Sequence, residues 1–139
     1  MFEFRTKFRV RYADTDQMGY VYYGNYAGYF EIGRVEALRS LGISYRELEE
    51  EGVMMPVLEN YSKYIRPAFY DDLLEIKVLL KEIPSARIRF DYEIFRENGE
   101  LIHIGHSVLV FVSVESKKIV APPHAVMNAL YGFFEKSPE

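Results

Sequence analysis

The apolar positions of the chain recur with two different periods, and the change between them divides the sequence. Apolar residues largely alternate with arginine and lysine over residues 4–12, which predicts a first strand with one solvated face. Over residues 25–41, apolar residues and glycines recur every three or four positions, which predicts an amphipathic helix. Asn25 is the expected N-cap of this helix, and Gly42 is the residue expected to end it.

The pattern after Gly42 predicts a short helix and then a series of strands. Ser44 and Glu47 have the spacing of a capping box, so residues 44–51 should form a helix that ends at Gly52. From there the period is two, which predicts strands within residues 53–66, 74–83, 88–94 and 102–114.

Turn residues separate these strands. The segment Pro67–Asp72 has turn chemistry, and Glu97-Asn98-Gly99-Glu100 predicts a tight hairpin because Asn-Gly accepts the positive φ values of such a turn. Residues 124–134 are expected to form a last helix or an irregular turn. The predicted order is therefore strand, long helix, short helix and four antiparallel strands in a meander.

The last strand is apolar on both faces. Ile104 and Val108 lie on one face, while Leu109 and Phe111 make the other face apolar as well. One helix covers only one face of a sheet, so we expect a sheet curled around the long helix, with the opposite face or edge buried by another subunit. A homo-oligomer is therefore expected.

Two glycines inside the long helix indicate close packing. Gly28 and Gly33 each cost about 1 kcal/mol relative to alanine in a helix interior. We expect a sheet packed close to the helix backbone to compensate for this cost.

Composition narrows the class of protein. The 139 residues are enough for one domain, and we expect residues 1–139 to form it. The absence of cysteine excludes disulfides, thiolate metal sites and a thiol nucleophile. No segment has the pattern of a signal peptide or a membrane span, so a cytoplasmic protein is expected. The net charge of −4 argues against nucleic-acid binding.

The Asp14-Thr15-Asp16 sequence first suggests a metal site. In a calcium-binding loop, however, two further ligand positions would fall on Met18 and Asn25, which fit poorly. His103 and His106 are three residues apart on one strand, so they should lie on opposite faces. We expect no metal and no other cofactor.

A carboxylate just ahead of a helix N-terminus offers another chemistry. The first N–H groups of a helix are unpaired and partly positive, so they can hold a carbonyl oxygen that becomes negative during acyl transfer. A nearby aspartate, Asp14 or Asp16, could attack the carbonyl carbon or activate a water. In the alternative interpretation, both aspartates only stabilise the turn.

A resemblance to a known family favours the first interpretation. The segment RYADTDQMGYVYYGNY (residues 11–26), followed by Phe30-Glu31-Ile32-Gly33-Arg34, resembles the signature of the hotdog-fold acyl-CoA thioesterases of the 4-hydroxybenzoyl-CoA thioesterase and YbgC-like family. Arg66–Asp72 resembles the segment that leads into the third strand of that family. The resemblance implies an α+β hotdog fold, in which an antiparallel sheet wraps around one long central helix. It also implies edge-to-edge dimers, frequent homotetramers and active sites at the dimer interface.

The resemblance assigns roles to residues of the loop. Asp16 corresponds to the catalytic carboxylate, which acts as nucleophile or general base, and Gly19 to the glycine that lets the loop turn. The backbone N–H of Tyr23 corresponds to the group that polarises the thioester carbonyl. Many YbgC-like members have His where this chain has Tyr23, whereas hydroxybenzoyl-type enzymes have Tyr, so the subgroup stays open. Asp14 is expected to fix the loop.

Residues outside the loop are candidates for substrate binding. Tyr26 is expected to form pocket wall or core. Glu31 could contact the acyl group or pair with Arg34 one turn along the helix. The candidates for the phosphates of coenzyme A are Lys63, Arg66, Arg87 and Arg89, with Lys117 and Lys118 in a turn.

These observations predict an acyl-CoA thioesterase that releases a free acid and coenzyme A. The expected substrate is an acyl-CoA small molecule, and the expected assembly is a dimer or tetramer. One alternative is a non-catalytic module that binds or senses acyl thioesters. Another is a thioesterase whose partner is acyl carrier protein.

Overall fold

The computed structural model describes residues 1–134. The helices and strands of this range are, in chain order, β1 (Phe2–Arg9), α1 (Tyr26–Ser40), α2 (Tyr45–Glu50), β2 (Val53–Met54), β3 (Val57–Tyr64), β4 (Leu73–Leu80), β5 (Arg87–Arg96), β6 (Leu101–Val110), β7 (Val112–Ser113) and α3 (His124–Phe134). Short 3₁₀ turns at Tyr12–Asp14 and Tyr23–Asn25 lie between β1 and α1.

The main sheet is antiparallel and has the strand order β1-β4-β5-β6-β3. The predicted meander is correct for β4, β5 and β6 but wrong for β3, which pairs with β6 and not with β4. The chain crosses between β3 and β4 from one edge of the sheet to the other end. β2 and β7 form a separate two-stranded ladder.

Helix α1 packs on one face of this sheet, against β1, β4 and β5. Its buried residues include Tyr26, Tyr29, Phe30 and Ala37, at the predicted helical spacing. Phe30 stacks on Tyr92 of β5 with 4.2 Å between ring centroids. The predicted antiparallel sheet around one long helix is confirmed.

The two helix glycines have different surroundings. A Cβ at Gly33 would lie 2.9 Å from both Ile76 Cδ1 and Val78 Cγ2, so the predicted close approach of the sheet is confirmed there. At Gly28 the same prediction is wrong, because the residue is exposed and a Cβ would meet nothing within 4 Å among the described residues.

The four residues predicted at the helix ends lie where they were expected, and three of them act as predicted. Gly42 has φ +80° and Gly52 has φ +90°, as expected for residues that end helices. Ser44 caps α2 by accepting a hydrogen bond from the Glu47 N–H at 3.2 Å. Asn25 occupies the predicted N-cap position of α1, but its side chain makes no cap bond and donates instead to the Asp14 carbonyl at 2.7 Å.

Three predicted strands extend past their observed ends, one of them because β4 ends at Leu80 and not at residue 83. The first strand ends at Arg9, and Tyr12 lies in a 3₁₀ turn with 73% of its surface exposed. The strand predicted over residues 102–114 ends at Val110, after which β7 pairs with β2. The chain bends after Val110, where its pairing changes from the main sheet to β2. The alternation of apolar residues continues through this bend, so the pattern did not show where β6 ends.

The hairpin between β5 and β6 has a different turn from the one predicted. Gly99 has φ +87°, whereas Asn98 is not in the positive-φ region. The Gly99 N–H donates to the Arg96 carbonyl at 2.9 Å, and the Arg96 N–H donates to the Glu100 carbonyl at 2.9 Å. This is a three-residue loop that needs one left-handed residue rather than two.

Strand β3 is exposed on both faces. Leu58 is 53% exposed, Tyr61 49% and Tyr64 52%, although β6 pairs with one side of the strand. In the part of the chain that the structure describes, no helix is both long and apolar enough to cross a membrane.

Candidate active site

The loop between β1 and α1 is held by the first aspartate of the Asp-Thr-Asp sequence. Asp14 Oδ2 accepts hydrogen bonds from the Arg11 N–H at 3.0 Å and from the Tyr29 hydroxyl at 2.9 Å. Its role in the fold of the loop therefore agrees with the prediction.

The second aspartate lies at the turn of the loop. Asp16 is half-buried, and its Oδ1 accepts a hydrogen bond from the Met18 N–H at 2.8 Å. The Gly19 N–H donates to the Asp16 carbonyl at 2.9 Å, and Gly19 has φ +85°, which glycine adopts without strain. Asp16 Oδ2 has no hydrogen-bond partner within residues 1–134, so this oxygen is available to a substrate or a water.

Tyr23 begins the 3₁₀ turn that leads into α1. Its backbone N–H donates no hydrogen bond to any described residue, and its carbonyl accepts one from the Tyr64 hydroxyl at 3.3 Å. Tyr23 is 62% exposed, and the predicted oxyanion donor is an N–H without a partner among the described residues.

The segment that holds Asp16 pairs with the segment that leads into this turn. The Asp16 N–H donates to the Tyr20 carbonyl at 3.1 Å, and the Tyr22 N–H donates to the Asp14 carbonyl at 2.9 Å. Between them, Thr15 and Val21 form an antiparallel bridge. The backbone of Asp16 therefore lies beside the segment that leads into the 3₁₀ turn.

An open groove of about 360 Å³ lies beside the loop. Its lining includes Tyr20, Tyr23, Tyr26, Tyr64, Met18 and Arg66. Burial raises the pKa of Tyr26 to about 12, so this phenol is neutral at physiological pH. The groove thus has an aromatic wall that includes Tyr26.

A histidine that sequence reasoning did not assign to the site forms the layer below this groove. His103 is fully buried, stacks on Tyr26 with 4.0 Å between ring centroids, and has Nε2 3.0 Å from Ser62 Oγ. Burial lowers the pKa of His103 to about 4. His106 lies on the opposite face of β6, where it stacks on Tyr61, in agreement with the prediction that the two histidines are separated.

Of the two alternatives for Glu31, the ion pair with Arg34 does not form. Glu31 is exposed on α1, whereas Arg34 is buried and its Nε donates to the Tyr45 hydroxyl at 3.1 Å. Glu31 remains a candidate for contact with an acyl group.

The predicted phosphate-binding cations lie in different places within one protomer. Arg66 lines the groove, and its Nε is 3.6 Å from Glu100 Oε1. Lys63 is on exposed β3. Arg87 and Arg89 lie on β5 beside a separate groove of about 470 Å³, and Arg89 pairs with Asp91 at 3.1 Å. The cations Lys117 and Lys118 lie in the turn after β7.

The sequence matches the thioesterase-like superfamily over residues 10–130. The chain belongs to this superfamily. The expectation of a thioester hydrolase is therefore confirmed, as is the resemblance on which it was based.

Curated relatives match over nearly their whole lengths. The chain is 31% identical over 124 residues to the acyl-CoA thioester hydrolase YbgC of Escherichia coli O6:H1, which covers 89% of this chain and 92% of that protein. It is 32% identical over 124 residues to the acyl-CoA thioesterase YbgC of Haemophilus influenzae, with coverages of 88% and 90%.

A solved structure confirms the fold. The DHNA-CoA thioesterase from Staphylococcus aureus is 32% identical and superposes with a TM-score of 0.84, over 96% of this chain and 85% of that one. This superfamily member therefore has the predicted hotdog fold.

Proposed function

We propose that this protein hydrolyses the thioester of an acyl-coenzyme A to a free acid and coenzyme A. Asp16 acts as nucleophile or general base, and the Tyr23 N–H polarises the thioester carbonyl. The observation that carries this proposal is an unpaired carboxylate oxygen on Asp16 in the same loop as an unpaired N–H at Tyr23, beside a groove lined by tyrosines. Relatives named acyl-CoA thioester hydrolases support the substrate class.

Either role of Asp16 gives a balanced reaction. As nucleophile, its carboxylate attacks the carbonyl carbon, the C–S bond breaks, and water then hydrolyses the mixed anhydride. As general base, it takes a proton from a water that attacks the same carbon, and the proton passes to the leaving thiolate. In both routes the Tyr23 N–H holds the carbonyl oxygen while it is negative.

The Asp16→Asn variant tests this proposal. Removing the carboxylate charge should lower kcat/KM for acyl-CoA hydrolysis by at least about 100-fold, because neither nucleophilic attack nor proton abstraction is then available. Thiol release from a panel of aromatic and aliphatic acyl-CoA esters, and from acyl–acyl carrier protein, is the measurement.

Asp71→Asn is the matched control. Asp71 is an exposed carboxylate outside the groove, and asparagine tolerates its φ of +71°. Turnover that survives Asp16→Asn at the wild-type level would refute the assignment. If the wild type binds esters but turns none over, the protein is an acyl-thioester binding module.

Assembly with another copy is part of the proposal. Asp16 lies next to the groove without lining it in one protomer, and β3 offers an uncovered edge on the side of Tyr64. A second copy that extends the sheet at β3 would cover this edge and complete the site. We propose an edge-to-edge dimer, with tetramers of such dimers as the next level of assembly.

A single domain over residues 1–139 and a cytoplasmic location stay predictions. Acyl carrier protein stays a proposed partner, which the substrate panel tests.

A further inference from the structure

Asp14 connects three parts of the candidate site. Its carboxylate accepts hydrogen bonds from the Arg11 N–H and the Tyr29 hydroxyl, at 3.0 Å and 2.9 Å. Its carbonyl accepts two more, from the Tyr22 N–H at 2.9 Å and from Asn25 Nδ2 at 2.7 Å. Four donors from the loop, the 3₁₀ turn and α1 thus converge on one residue.

The position of Asp14 relates these bonds to the reacting groups. Asp16 is two residues after Asp14, and Tyr23 directly follows the residue whose N–H binds the Asp14 carbonyl. The backbone bonds connect the loop to the 3₁₀ turn. The hydrogen bond from Tyr29 to Asp14 then attaches the loop and the 3₁₀ turn to α1, the helix that packs on the sheet.

Tyr29 is well suited to hold this connection rigidly. It is 5% exposed, and its ring packs on Phe8 of β1 and on Tyr26, with centroid distances of 4.5 Å and 5.4 Å. Its hydroxyl donates to the Asp14 carboxyl group in a partly buried position, where a hydrogen bond is stronger than in water. Burial and the bond to Asp14 also raise the pKa of Tyr29, so the hydroxyl keeps its proton.

We propose that Asp14 and Tyr29 are positioning residues that set the separation between the Asp16 carboxylate and the Tyr23 N–H. They act through the loop and touch neither the thioester nor the attacking water. This inference rests on the proposed function of Asp16. It adds a pair of residues to which neither the sequence signature nor the groove assigns a role in the reaction.

Tyr29→Phe tests the proposal with minimal change to packing. Loss of the hydroxyl should lower kcat by about tenfold, because a small displacement of a reacting group has a large effect on rate. KM should change by less than about twofold, because no group that binds substrate is removed. Steady-state kinetics on the best acyl-CoA ester separates the two constants.

The same variant should loosen the loop. Hydrogen–deuterium exchange across residues 11–25 should become about tenfold faster, since a buried bond that closes the loop is lost. Tyr45→Phe is the matched control, because it also removes a phenol hydroxyl in a hydrogen bond, one that accepts from Arg34 and does not involve the loop. This control should keep wild-type kcat and wild-type exchange in the loop.

A double-mutant cycle tests whether the two residues act as a pair. Asp14→Ala removes the acceptor, so adding Tyr29→Phe to it should lower kcat by less than about twofold further. Asp14→Asn retains an oxygen that can accept from Tyr29, so it should recover part of the activity lost in Asp14→Ala. Circular dichroism and thermal unfolding verify that each variant is folded.

Unchanged kcat in Tyr29→Phe would overturn the proposal. So would a double mutant whose loss of kcat equals the product of the losses in Asp14→Ala and Tyr29→Phe, because the two residues would then act independently. If the wild type hydrolyses no thioester, the proposed function fails by itself. The exchange measurement then still tests whether Asp14 and Tyr29 hold the loop. Wild-type exchange rates over residues 11–25 in both Asp14→Ala and Tyr29→Phe would show that they do not.

Discussion

Burial determines the protonation state of His103. Its side chain is fully buried among aromatic rings, and its pKa is lowered to about 4. In the unfolded chain the pKa of histidine is about 6.5. Between these values the unfolded state binds a proton that the folded state does not, so the free energy of unfolding falls as the pH falls.

This difference predicts a specific loss of stability in acid. His103 should contribute a decrease of about 1.4 kcal/mol in the free energy of unfolding per pH unit between about pH 6.5 and 4. In His103→Gln this contribution should be absent, and the pH profile should be flatter. Urea unfolding at several pH values in this window provides the measurement, with His106→Gln on the opposite face as the control. Equal slopes in wild type and His103→Gln would contradict the prediction.

For single residues, local sequence patterns were a better guide to the loop than to the buried positions beneath it. Asp14 and Gly19 lie in a turn whose chemistry is local, so a short motif was sufficient to assign them. His103 and Arg34 are buried by elements distant in the sequence, and neither has a local signal. Alternation along β6 showed that two faces exist but could not show which one α1 covers.

Helix α1 lies close to the sheet at Gly33. Alanine at this position would place Cβ 2.9 Å from Ile76 Cδ1 and Val78 Cγ2, and both neighbours belong to the packed core. Gly33→Ala should therefore lower the free energy of unfolding by about 1–3 kcal/mol, as overpacking does.

Gly28→Ala is the matched change on the exposed face of the same helix. No described atom lies within 4 Å of its added Cβ, so the higher helix propensity of alanine should raise stability by up to about 1 kcal/mol. Chemical denaturation of both variants measures the two effects. Equal changes in the free energy of unfolding for Gly33→Ala and Gly28→Ala would show that contact with β4 does not exclude a larger side chain at position 33.

Periodicity was sufficient to predict the helices and strands, but it could not show which strands pair with each other. Residues 53–66 had a strand pattern, yet this pattern did not indicate that β3 pairs with β6, about 40 residues further along the chain. Consecutive strands are usually adjacent, and β3 is an exception because the segment after it crosses to the other end of the sheet. The helix caps, which depend on neighbouring residues, were predicted more accurately.

For the whole molecule, the exposed edge at β3 predicts self-association. Tyr61 is near the middle of this strand, so in an edge-to-edge dimer it lies near its own copy. Tyr61→Glu should therefore introduce like charges close together and weaken the dimer, by at least about tenfold in Kd. Sedimentation over a range of protein concentrations measures this change.

Tyr131→Glu is the control for this experiment. Tyr131 on α3 is 46% exposed and Tyr61 is 49% exposed, so the two substitutions change similar surfaces at different places. The control should associate like the wild type. A monomeric wild type, or equal weakening by both substitutions, would contradict association through β3.

The strand order also affects how the protein emerges from the ribosome. β1 pairs with residues 73–80 and β3 with residues 101–110, so both edge strands are synthesised before the strands that will pair with them. The long helix likewise leaves the exit tunnel before β4 and β5 exist to receive its apolar side. During much of its synthesis the nascent chain therefore exposes unpaired strands and an apolar helix face. Chaperones protect polypeptides in this state from aggregation.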